Sequence, residues 1–161
     1  MEEYPLYLGL GSNIGDRKGN IIEALARLDK ALGCHYDAVS DLVETDPWGF
    51  EADEKFMNAV VRYIMPVPRG TSEYVGCVNA HADEARKILR ICKDIEKSMG
   101  RTENVEYGPD GKRMYHSRII DIDILMAGDW RIDEPDLKIP HPLMQERDFV
   151  MIPLRQIMDR K

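Results

Sequence analysis

Apolar positions recur along the chain with two periods, and the switches between them outline the elements. Tyr4 to Leu10 alternates weakly and is rich in Leu and Tyr, which predicts a strand broken by Gly9, Gly11, Ser12, Asn13 and Gly15. Asp16 then offers a cap for a helix carrying Ile22, Leu25, Leu28 and Leu32 at helical spacing, closed by Gly33. Residues 34–45 suit a second strand, Asp46-Pro47-Trp48-Gly49 a loop, and Phe56 to Met65 a third strand ended by Pro66, Pro68 and Gly70. The segment from there to Asn79 reads as a surface excursion. Residues 81–99 form the clearest helix, with Ala85, Ile88, Leu89, Cys92, Ile95 and Met99 on one stripe and Gly100 as its stop. A polar, Gly- and Pro-containing loop follows over 101–116. Pro140-His141-Pro142 is a rigid turn, and Phe149 to Met158 fits either a strand or a helix.

The stretch 118–126, Arg-Ile-Ile-Asp-Ile-Asp-Ile-Leu-Met, reads as an apolar strand containing two carboxylates. Strand side chains alternate between faces, so Asp121 and Asp123 share one face with Ile119 and Leu125. Ile120, Ile122 and Ile124 fill the other. Strands and helices interleave without a regular βα alternation, so the expected class is α+β or a mixed-sheet α/β sandwich.

Composition changes this picture little. The 161 residues suit one domain spanning 1–161, and 43% hydrophobic with 32% charged residues is ordinary for a globular protein. No apolar run reaches the ~20 residues of a membrane helix, and residues 1–5 show no secretory pattern. Cys34, Cys77 and Cys92 are far apart, which points to free thiols in a reducing cytoplasm. A net charge of −7 argues against a general nucleic-acid binder but leaves room for a local basic pocket. Arg101, Lys112, Arg113, Arg118 and Arg147 cluster late in the chain.

Three constellations could carry chemistry, each with a bland alternative. The aspartate pair is either a wetted sheet face or a divalent-cation site, because Mg²⁺ is often held by one or two carboxylates and completes its shell with water and phosphate oxygens. Phe56 and Asn58 share a strand face, either as an exposed edge or as an aromatic wall with a polar hook for a flat heterocycle. His141 is either a surface histidine or, with Arg147 six residues on, a phosphate contact. The Gly9-x-Gly11-Ser12-Asn13-x-Gly15 stretch has the wrong spacing for a dinucleotide fingerprint and reads as a tight strand-to-helix turn. Without a Gly-Lys-Ser/Thr there is no P-loop. No cysteine has a nearby motif partner.

Together these segments resemble the 6-hydroxymethyl-7,8-dihydropterin pyrophosphokinase family of folate biosynthesis. The similarity runs from Tyr7–Arg17 through Glu44–Gly49, Phe56–Val61, Ile95–Arg101 and Ser117–Met126 to Ile139–Leu154. The R-x-x-D-x-D strand followed by P-H-x-x-x-x-x-R-x-F is specific in combination. The resemblance implies a ferredoxin-like α/β sandwich, usually monomeric, that moves pyrophosphate from ATP to the pterin hydroxymethyl group with two Mg²⁺ ions and releases AMP. Asp121 and Asp123 would bind both metals, and Arg118, His141 and Arg147 would hold the ATP phosphates. Arg101 and Glu96 match the end of the nucleotide-side helix, and Ile124 falls within the nucleotide site. The pterin would stack between Phe56 and Phe149, with Thr45, Asn58 and the Pro47-Trp48 backbone at its polar edge. The 102–116 loop is longer than the family pattern and carries Lys112, Arg113 and Tyr115 where an ATP-closing group belongs. Pro66–His81 looks like an insertion, and both segments suit lids that order on substrate. The competing classes are a non-catalytic nucleotide- or metal-binding regulator on the same fold and a plain structural domain.

Overall fold

The computed structural model describes residues 3–45, 56–67, 77–100, 106–107, 113–114, 119–142, 144 and 148–158. Along the chain these form β1 (Glu3–Ser12), α1 (Arg17–Leu32), β2 (Ala38–Val39), β3 (Val43–Thr45), β4 (Phe56–Pro66), α2 (Cys77–Ser98), β5 (Glu106–Tyr107), β6 (Arg113–Met114), β7 (Asp121–Ala127), β8 (Ile132–Glu134), β9 (Leu137–Ile139) and α3 (Asp148–Met158). The main sheet runs β2-β4-β1-β7, with β3 also on β4, and every neighbouring pair is antiparallel. Helix α1 links β1 to the β2/β3 edge and α2 links β4 to β7, so each crossover skips one strand. That is the split βαβ arrangement of a ferredoxin-like α+β sandwich.

The two faces of the sheet are buried differently. Leu6, Leu8 and Leu10 of β1, Ala59, Val61 and Tyr63 of β4, and Ile120, Ile122 and Ile124 pack with both crossover helices. Ile21, Ala24, Leu25 and Leu28 supply the α1 stripe, and Ala85, Ile88, Cys92 and Ile95 that of α2. On the other face Tyr7, Val60 and Leu125 pack with Val150, Leu154 and Ile157 of α3. That helix covers only part of its face. The rest carries Phe56, Asn58, Gly9, Gly11, Asp121 and Asp123.

Local chemistry explains the boundaries. Asp16 accepts from Gly19 N at 3.1 Å as the N-cap of α1, and Gly33 ends the helix at φ 78° with its N–H on Asp29 O. Asn20 Nδ2 donates to Ser12 Oγ and Ile14 O, tying the turn after β1 to the first turn of α1. At the far end of α3, Arg62 donates to Asp37 Oδ2 and to Ile157 O, which fastens the helix C-terminus to β4.

Several sequence expectations change. Strand β1 continues through Gly9 and Gly11 to Ser12, because both glycines lie in the ladder. The expected 34–45 strand is two short pieces: Ser40 N still donates to Val60 O, but Asp41 turns away to exchange hydrogen bonds with Gln156. Ile21 is buried in place of Ile22, which is 56% exposed, since the α1 stripe runs 21, 24, 25, 28. Helix α2 begins at Cys77, inside the expected excursion, and the 101–116 loop contains the short β5–β6 pairing. The undecided C-terminal segment is helix α3, despite Pro153 in its interior.

Candidate active site

Strand β1 lies between β4 and β7, and its register aligns the two halves of the site. Gly11 pairs with Asn58 on one side and Asp121 on the other, and Gly9 pairs with Val60 and Asp123. Two strand spacings put Asn58 and Asp121 about 10 Å apart across Gly11. There is no room for a side chain on Gly11, because Asn58 and Phe56 lean over it: an added Cβ would lie 2.9 Å from Asn58 Oδ1 and 3.4 Å from the Phe56 ring. The glycines that read as a turn in the sequence therefore leave room for Asn58 and Phe56 to lean across β1 between the amide-aromatic face and the carboxylate pair. Nothing in the local sequence separates that from a turn, because the crowding comes from β4.

The carboxylate half lines a cavity of about 430 Å³. Asp121 and Asp123, both half-buried, share it with His141, whose N–H donates to Leu125 O at 2.9 Å. The β1–β7 register shifts between Tyr7 and Leu8, leaving Leu125 as an extra residue. This bulge turns both Leu125 and Met126 toward the α3 face, beyond the aspartates. Ile124 borders the cavity, though its side chain belongs to the core of the opposite face.

Glu96 is buried, and its Oε2 accepts from Ile122 N at 2.8 Å. β7 is a sheet edge, so this carboxylate satisfies an outward-facing amide while lining the same cavity. One turn earlier, Cys92 is fully buried; burial first, then the charges of Glu96 and Asp123, push its thiol pKa well above the ordinary value. It is a neutral core thiol rather than a nucleophile. Lys93, Asp136 and Lys138 also line the cavity, and the sequence reading had not singled them out. Lys93 was legible in part, three residues before Glu96 on one helix, whereas the other two come from a hairpin whose placement is purely tertiary.

Of the remaining expected site residues, Thr45 lies in β3 opposite Phe56, and Phe149 lies in the first turn of α3. Arg113 is in β6. Pro47, Trp48, Arg101, Lys112, Tyr115, Arg118 and Arg147 fall outside the described residues. Among the described residues no group of three or more His, Cys, Asp or Glu side chains gathers to cage a metal. Two carboxylates on one cavity wall nevertheless fit Mg²⁺, a hard cation that takes few protein oxygens and keeps water and phosphate for the rest. No helix among the described residues is long and apolar enough to cross a membrane.

Comparison with known proteins shows the family. The family described as 7,8-dihydro-6-hydroxymethylpterin-pyrophosphokinase matches residues 7–159. A 2-amino-4-hydroxy-6-hydroxymethyldihydropteridine pyrophosphokinase from Porphyromonas gingivalis is 38% identical over 153 residues, covering 94% of this chain and 89% of the relative. Proteins of the same name from Aquifex aeolicus and Bacillus subtilis are each 34% identical, over 94% of this chain and 79% and 76% of their own lengths. The chain belongs to the 7,8-dihydro-6-hydroxymethylpterin-pyrophosphokinase family.

Proposed function

We propose that this chain, a pyrophosphokinase of hydroxymethyldihydropterin in folate synthesis by its family, works with ATP and two Mg²⁺ ions held by Asp121 and Asp123. The observation that carries the reading is the single row Asn58–Gly11–Asp121 on one sheet face. It supports the reading by putting an aromatic and an amide two strands from a carboxylate pair, across a residue that has no side chain. Asn58, Phe56 and Thr45, with Pro47, Trp48 and Phe149, take the pterin. Glu96, Ile124, His141 and Arg147 take the nucleotide, and Lys112, Arg113 and Tyr115 close over it. Arg118 and Arg101 grip the phosphoryl oxygens that gain charge during transfer.

Bound at the pair, Mg²⁺ supplies charge neutralisation on the phosphates and acidifies the attacking hydroxyl. The protein's own contribution is positioning. A hydroxymethyl group anchored through its ring must reach the β-phosphorus in line, and orientation of that kind lowers a barrier without covalent help from the enzyme. Asp121 or Asp123 would accept the hydroxyl proton, or the metal alone would suffice to acidify it. The free thiols Cys34 and Cys92 fit a reducing cytoplasm.

The test mixes the protein with Mg-ATP and 6-hydroxymethyl-7,8-dihydropterin and follows AMP. Pterin-dependent AMP formation is expected; ADP in its place, or nucleotide binding without turnover, would point to another kinase or to a regulator. Asp121→Ala and Asp123→Ala should each lose roughly 100-fold or more in rate. Both should stay folded, since each side chain is half-exposed and its truncation opens no buried cavity. Near-wild-type turnover in either variant contradicts the metal assignment, and EDTA should abolish activity.

A further inference from the structure

The wall of the cavity opposite Asp121 and Asp123 is the β8–β9 hairpin, a two-stranded sheet of its own that contributes Pro135, Asp136, Leu137 and Lys138. A two-stranded ribbon is marginal by itself. Its strands are anchored by Ile132, Leu137 and Ile139 in the core, but Pro135 and Asp136 at its turn are exposed. One side chain from outside the hairpin grips that turn. Arg86 Nη1 donates to Asp136 Oδ2 at 3.0 Å, and Arg86 Nη2 donates to Asp136 Oδ1 and Glu134 Oε2, each at 2.9 Å. A planar guanidinium fork bound to both oxygens of one carboxylate fixes direction as well as distance. Arg86 lies on α2, whose Leu89, Lys93 and Glu96, at helical spacing from it, face the same cavity. One helix therefore both lines the cavity and holds its far wall.

We infer that Arg86 is a positioning residue for the nucleotide, setting the β8–β9 turn as a pocket wall and neutralising the Asp136 carboxylate that would otherwise repel a polyphosphate. The inference rests on the proposal that this cavity takes Mg-ATP. It accounts for an acidic residue beside a site that must receive a triphosphate. Exposed ion pairs add little to global stability, so the consequence belongs to nucleotide affinity and not to folding.

The experiment measures steady-state kinetics for both substrates, Mg-ATP binding by calorimetry and melting temperature. In Arg86→Ala the KM for ATP should rise roughly tenfold, while the KM for the pterin and the melting temperature stay near wild type. Arg86→Lys should recover only part of the loss, because an ammonium cannot engage both Asp136 oxygens and Glu134 as a fork does. Arg86→Ala combined with Asp136→Asn should bind ATP better than Arg86→Ala alone, since the unneutralised charge is gone. An unchanged KM for ATP in Arg86→Ala overturns the inference. So does a parallel rise in both KM values with a lowered melting temperature, which marks a merely structural pair. If Arg86→Ala does not fold, Arg86→Gln removes the same charged fork with a smaller loss of packing, and an unchanged KM for ATP there is equally decisive against the inference. A wild-type protein that neither binds Mg-ATP nor forms AMP removes the nucleotide reading itself, and this inference with it.

Discussion

A methyl group added at Gly11 would lie 2.9 Å from Asn58 Oδ1, closer than a real Cβ tolerates, and 3.4 Å from Phe56. The crowded atoms belong to the two described side chains proposed to receive the pterin, so Gly11→Ala should act there first. Its expected phenotype is a pterin KM raised several-fold with the ATP KM little changed, at a stability cost of about 1–3 kcal/mol for overpacking. Kinetics with each substrate varied in turn, beside a urea titration, separates the two effects. An equal loss for both substrates would mean that the Gly11 position serves the whole site. Gly9 is less critical: its added Cβ would meet Leu125 at 3.4 Å, at the edge of ordinary contact.

At the scale of elements, α3 decides how much of the second sheet face stays open. Its buried residues, Val150, Leu154 and Ile157, follow a helical stripe and rest on Tyr7, Val60 and Leu125. Leu154 is 1% exposed, so Leu154→Ala should cost about 2–5 kcal/mol in chemical denaturation. A cost well under 1 kcal/mol would show that the helix is not an integral part of the fold. The bulge at Leu125 contributes to the same partition, because it turns Leu125 and Met126 beneath α3 just past the carboxylates. Thus one strand serves the helix with its C-terminal half and the cavity with its N-terminal half.

For the molecule as a whole, the α1/α2 side of the sheet carries a polar liability that sets an alkaline limit. Tyr63 has no exposed surface, and its hydroxyl donates to Asp29 Oδ1 at 2.6 Å; Asp29 Oδ2 is 2.6 Å from His35 Nδ1. Burial, then the hydrogen bond and charge of Asp29, push the Tyr63 pKa above its ordinary 10.0. Burial does the same to Tyr4, whose buried hydroxyl finds no hydrogen-bond partner among the described residues. Both phenols stay protonated in the folded protein at a pH where the unfolded chain has released the proton. Stability is therefore fully present below about pH 10 and falls as pH rises beyond it. Urea midpoints across that range should show the decline, and Tyr63→Phe should flatten part of it while costing about 1 kcal/mol at neutral pH through the lost hydrogen bond. A decline unchanged in Tyr63→Phe would assign the limit to other groups.

The sequence by itself determined much of this protein. Periodicity located both crossover helices, the β4 strand and the Ile120/Ile122/Ile124 face, because amphipathic spacing is a local property that tertiary contacts only reinforce. It also placed Asp121 and Asp123 on one face, since strand alternation follows from backbone geometry alone, and the motif combination identified the family. Where the sequence misled, the deciding force was non-local. Gly9 and Gly11 look like chain breakers, yet β4 and β7 hold them in a ladder where their missing side chains leave room for Leu125, Asn58 and Phe56. Ser40 and Asp41 interrupt an edge strand because Gln156, 115 residues from Asp41, competes for its backbone. Ile21 displaces Ile22 from the core because the rotation of α1 is set by the sheet beneath it. Only the tertiary structure put Asp136 at the cavity and Arg86 against it, 50 residues apart, for no local pattern encodes which turn a helix will grip.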